Sequence, residues 1–113
     1  MKLQIVIPTY KRIKKLDRCL HSILASSYQN FKVLVIADNK DSETRDFIWH
    51  LNHPKIECIV NLDHLYVAGS WNRFFKEYYN KRWDIAIWLV DDIALYPDCL
   101  EKAVECFEII FQI

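Results

Sequence analysis

The sequence predicts an α/β protein with three layers, α/β/α, around a mostly parallel sheet. Short β-rich apolar runs alternate with segments whose apolar residues repeat at helical spacing, the pattern of strands joined by crossover helices. Polar residues close three of those runs, at Thr9-Tyr10, Asp38-Asn39 and Asp91-Asp92. In parallel sheets ligands gather at such carboxyl ends of strands. A length of 113 residues predicts one domain, large enough for a real core.

The elements follow in order. Leu3 to Ile7 reads as a strand ended by Pro8-Thr9-Tyr10. Leu16, Cys19, Leu20, Ile23 and Leu24 then repeat as one helical stripe. Phe31 to Ala37 is a nearly continuous apolar strand, and Asp41 or Ser42 can cap a second helix carrying Phe47, Ile48 and Leu51. Ile56 to Val60 is a third strand, and Gly69-Ser70 opens a third helix with Trp71, Phe74, Phe75 and Tyr78 along one side. That spacing of three and four predicts that all four pack on the sheet. Ile85 to Val90 is the fourth strand, with the acid pair at its tip. Pro97 suits the first turn of a last helix, whose Leu100, Ala103, Val104 and Phe107 face inward.

Composition excludes several classes. Hydrophobic residues make up 52% and charged ones 27%, so the chain is globular rather than disordered. Lys plus Arg and Asp plus Glu both number 15, and a chain without basic excess does not ask for nucleic acid. The only glycine, Gly69, leaves no way to write a glycine-rich phosphate loop. Cys19, Cys58, Cys99 and Cys106 form no CxxC pair, and His21, His50, His53 and His64 are scattered. The N-terminal apolar run is too short for a signal peptide, and no segment nears the roughly 20 apolar residues that span a bilayer. A soluble, cytoplasmic protein is expected.

Asp91 and Asp92 stand where a buried strand meets water. Two fixed carboxylates there suit a hard divalent cation over a diphosphate. Read alone, the pair serves equally as a turn before Tyr96-Pro97-Asp98. Asp38, after the second strand, can accept from a ribose or a base N–H. Lys11, Arg12, Lys14 and Lys15 crowd the start of the first helix, where anions are preferred. Lys14 and Lys15 read as solvated; Arg12, closest to the strand tip, can fork onto phosphate oxygens.

Taken in order, these segments resemble family 2 glycosyltransferases, which have the GT-A fold. The resemblance runs through Ile5-Val6-Ile7-Pro8-Thr9-Tyr10-Lys11-Arg12, Val33-Leu34-Val35-Ile36-Ala37-Asp38-Asn39, Val67-Ala68-Gly69-Ser70-Trp71-Asn72 and Leu89-Val90-Asp91-Asp92-Ile93. It implies binding of a nucleotide-sugar donor, commonly a UDP-sugar, with Mn2+ or Mg2+, and transfer to an unknown acceptor. By analogy Pro8, Thr9 and Tyr10 would contact base or ribose, and Asp38 would accept from the base. Asp92 matches the final acid of the metal-binding DxD segment and would ligate the metal. Asp91 would bind ribose or a coordinated water, and Val90 takes the place of the first acid. Asn72 and Arg73 would border the donor pocket or simply form an exposed helix face.

The resemblance also implies that the acceptor-binding half and the catalytic base lie beyond the last helix, so residues 1–113 would form the nucleotide-sugar-binding half. Transfer, binding without transfer, and a purely structural or interaction role all remain open on this reading. The apolar run Phe107 to Ile113 would expose a patch, and a homodimer through this C-terminal end is one way to cover it.

Overall fold

A computed structural model describes residues 1–62, 67–78 and 83–111. The first strand, β1 (Leu3–Thr9), runs two residues past the expected end. Pro8 does not stop it. The carbonyl of Val6 accepts from the Leu89 amide on the fourth-strand side, and Pro8 has the same parity as Val6. Pro8 lies past the last ladder pair on that side, Val6 with Trp88, so its missing N–H breaks no bond.

Helix α1 (Ile13–Leu24) buries Leu16, Cys19, Leu20 and Ile23, one stripe at the expected spacing. Strand β2 (Phe31–Asp38) is buried on both faces save at Lys32, as a central parallel strand should be. Asp41 caps α2 (Ser42–Leu51), whose far end turns off at Asn52, left-handed at φ 46°. Next come β3 (Ile56–Asn61), α3 (Val67–Arg73) continued by a π-helical turn (Phe74–Tyr78), β4 (Ile85–Trp88) and α4 (Cys99–Phe111). Helix α4 starts two residues after Pro97, which therefore sits in the preceding turn.

Among the described residues four strands pair, all in parallel, in the order β3-β2-β1-β4. The chain moves one way across the sheet from β1 to β3, then returns past β1 to place β4. Right-handed crossovers put connections made in opposite directions on opposite faces. Accordingly α1 and α2 bury Leu16, Leu20 and Ile48 against Leu3, Ile5, Ile7, Val33 and Val35, and Leu100 and Val104 of α4 join the same cluster. Phe74 packs on the other face against Val6, Leu34 and Ile36. Three α/β/α layers and a parallel sheet are the predicted fold class.

Two expectations about packing are corrected. Phe75 is 44% exposed whereas Phe74 is fully buried. The π-helical turn closes its bonds one residue later than an α-helix, which rotates the stripe so that one of the two rings faces the sheet. Trp71 and Tyr78 are half-buried, and Trp71 stands edge-on to Trp88 with centroids 4.2 Å apart. On α4, Leu100 and Val104 face inward, but Phe107 is 38% exposed. The side chains of Ile109, Ile110 and Phe111, together with Gln112 and Ile113, lie outside the described residues, as does His64. Among the described residues, no helix is long and apolar enough to cross a membrane.

Candidate functional site

The reversal of direction leaves a crevice beyond the carboxyl ends of β1 and β4, where open α/β sheets bind ligands. Thr9 enters it from β1. Strand β4 ends at Trp88, two residues sooner than expected, and Leu89-Val90 carries the chain on to a turn at Asp91-Asp92. The two acids differ sharply there. Asp91 is 5% exposed, whereas Asp92 faces solvent.

Asp91 Oδ2 accepts from Thr9 Oγ1 at 2.8 Å, a buried bond between the two strand ends. Arg12 Nη1 reaches Asp91 Oδ1 at 3.4 Å from a side chain that is itself 54% exposed. A buried carboxylate needs such partners, because desolvation otherwise drives it to take up a proton. The cation thus stands at the crevice, where it can meet an anion from solvent, while Lys14 and Lys15 point outward as expected. Beneath the turn, Cys19 Sγ lies 3.9 Å from the Val90 carbonyl. Burial pushes this thiol up to about 11, and the charges of Asp91 and Asp92 add to the effect. It is a neutral floor for the acid pair.

Asp38 closes β2, buried, with its Oδ1 accepting from the Lys40 amide at 2.8 Å. The sheet order places it on the far side of β1 from Asp91, so the two acids flank β1 rather than occupy neighbouring tips. Tyr10 is 40% exposed at the start of the β1–α1 loop, and Pro8 stays within the strand. Asn72 is exposed on α3.

Arg73 departs from the expectation of an exposed helix face. Its side chain is 20% exposed and clamps α3 to β3: Nη1 donates to the Val60 carbonyl at 2.6 Å and to Asn61 Oδ1 at 2.7 Å. Nε meets Glu77 at 2.9 Å, and Asn61 Nδ2 donates to Ser70 Oγ at 3.0 Å. The Arg73–Glu77 spacing of four was a visible helix-pair signal. The partnership with Asn61 needed the tertiary fold.

The donors present are hard oxygens. Among the described residues no three His, Cys, Asp or Glu side chains converge into a metal cage. Mg2+ or Mn2+ bound with a diphosphate requires only one or two carboxylates, the rest coming from phosphates and water. Asp92 in solvent, beside Asp91, fits that sparse set. Toward the amino ends of the strands, Gln4, Lys32, Glu57, Tyr78 and Trp83 line a second concavity of about 250 Å3. Gln4 Oε1 is buried there without a hydrogen-bond partner among the described residues.

Residues 2–112 match the family described as glycosyltransferase like family 2. The chain belongs to that family. An uncharacterized glycosyltransferase of Nostoc sp. (strain PCC 7120) is 23% identical to this family 2 chain over 111 residues, 96% of this chain and 33% of that protein. S. aureus TarS 1-349 in complex with UDP-GlcNAc shares the fold with a TM-score of 0.74 at 17% identity, over 96% of this chain and 31% of that one. The mannosyltransferase PcManGT of Pyrobaculum calidifontis, in complex with GDP-Man and Mn2+, gives 0.76 at 17% identity, over 92% and 31%. The fold is therefore GT-A, as the sequence predicted, and the chain spans about a third of the length of these relatives.

Proposed function

We propose that this chain is the nucleotide-sugar-binding half of a glycosyltransferase, taking a UDP-sugar with Mn2+ or Mg2+ in the crevice between β1 and β4. One observation carries the reading: buried Asp91 is tied to Thr9 and Arg12 while Asp92 is left to solvent. Asp91, with its partners, fixes the turn. Asp92 presents the free carboxylate to the cation, and Arg12 adds positive charge toward the diphosphate. Pro8, Thr9 and Tyr10 line the way to Asp38, which receives a base N–H, and Asn72 borders the donor from α3. A divalent cation, when bound, screens the diphosphate so that it can depart. The acceptor and the base that deprotonates it are assigned to a part of the protein beyond these residues. Exposed thiols at Cys99 and Cys106 suit the reducing cytoplasm as the compartment.

Titrating UDP in the presence and absence of Mn2+ tests the reading. The metal should tighten UDP binding, Asp92→Ala should remove that gain, and Asp98→Ala, ahead of α4, should keep it. Equal UDP affinity with and without Mn2+ in the unaltered protein contradicts the metal assignment. Donor hydrolysis then separates a transferase from a binding module.

A further inference from the structure

Asp41 does more than start a helix. It is 1% exposed, against 5% for both Asp38 and Asp91. A cap requires one bond, and Asp41 makes it: Oδ1 accepts from the Thr44 amide at 3.3 Å. The shorter bonds belong to Oδ2, which accepts from Thr44 Oγ1 at 2.6 Å and from the Lys11 amide at 2.6 Å. Lys11 is 30 residues away in sequence, in the loop between β1 and α1.

Lys11 is also one of two non-glycine residues with positive φ among the described residues, at 53°. A side chain with a Cβ is sterically disfavoured in that region, so the turn needs an external hold. The Asp41 carboxylate is placed to provide it. Immediately after the turn comes Arg12, which reaches Asp91 across the crevice. Immediately before it come Thr9 and Tyr10. The backbone of Asp41 also donates to the Asp38 carbonyl at 3.0 Å, so one residue joins the β2 tip to the β1 loop.

We propose that Asp41 is a positioning residue of the donor site. Its carboxylate holds the Lys11 amide, which keeps the loop in its left-handed turn and presents Arg12 to Asp91. The proposal rests on the donor-site reading above and assigns to that site a residue that does not touch the ligand.

Two substitutions separate positioning from capping. Asp41→Ser retains a side chain that caps well but is too short to hold Lys11 as well. Lys11→Gly lets the loop adopt positive φ without a hold. In titrations with UDP and Mn2+, Asp41→Ser should weaken binding about tenfold, as expected for losing a charge-assisted buried bond. Adding Lys11→Gly should recover most of that loss relative to Lys11→Gly alone. A capping role gives no such rescue, so a double variant as weak as Asp41→Ser overturns the proposal, as does unaltered affinity in Asp41→Ser.

Hydrogen exchange without ligand keeps the two readings distinct. The Lys11 amide should exchange at least about tenfold faster in Asp41→Ser, with the Leu20 amide of α1 unchanged. Equal Lys11 exchange in both proteins refutes the hold even if UDP binds. Failure of the unaltered protein to bind UDP, with Lys11 exchange accelerated as expected, contradicts the donor reading and leaves the hold supported.

Discussion

Thr9 Oγ1 is the contact that lets a carboxylate sit buried in the crevice, and its removal is correspondingly costly. Thr9→Val keeps the shape and β propensity but takes the donor from Asp91 Oδ2. A charged acceptor left short of a partner in a buried site costs about 1–3 kcal/mol, read from urea unfolding at pH 7. Asp92→Ala, at an exposed position, should stay within about 0.5 kcal/mol of the parent. Below the acids, Cys19 sets a pH dependence of its own. Its thiol is raised from 9.0 to about 11 in the folded chain, chiefly by burial. Between those values the unfolded chain has shed the proton that the folded chain retains, so stability falls as pH rises. Cys19→Ala should flatten the fall between pH 9.0 and about 11, and an unchanged slope would show that the thiol does not contribute.

At the scale of elements, helix periodicity located the buried stripes of α1 and α2, but it misplaced the third helix by one residue. Phe74 and Phe75 lie on either side of the stripe that Trp71 and Tyr78 set, and that spacing does not say which of them the sheet covers. Phe74→Ala should therefore cost about 3–5 kcal/mol, as emptying a core aromatic site does. Phe75→Ala should cost under about 1 kcal/mol. Equal losses in thermal or urea unfolding would contradict the assignment. The ends of strands were less legible than the strands. Pro8 looked like a terminator because its neutral orientation depends on which side β4 joins, and Val90 looked like strand because its apolar side chain does not reveal that it is 48% exposed.

For the whole molecule, the fold class, the order of elements and the acids at strand tips were all visible in the residues. Hydrophobic alternation and polar closures are local signals, and the sheet obeys them. Order within the sheet is not local. The chain's return past β1 separates Asp38 from Asp91 and joins Thr9 to Asp91, while the pairing of β1 with β2 brings Asp41 to Lys11. Spacing along the sequence announces none of these pairs. The same reversal makes the β1–β4 crevice the expected donor site, with the 250 Å3 concavity near the amino ends of the strands as its rival. Amide chemical shifts during titration with UDP and Mg2+ compare the two directly. Perturbations should concentrate at Thr9, Tyr10, Arg12, Asp38, Asp91 and Asp92. Shifts confined to Gln4, Lys32, Glu57 and Trp83, with the crevice unmoved, would contradict it.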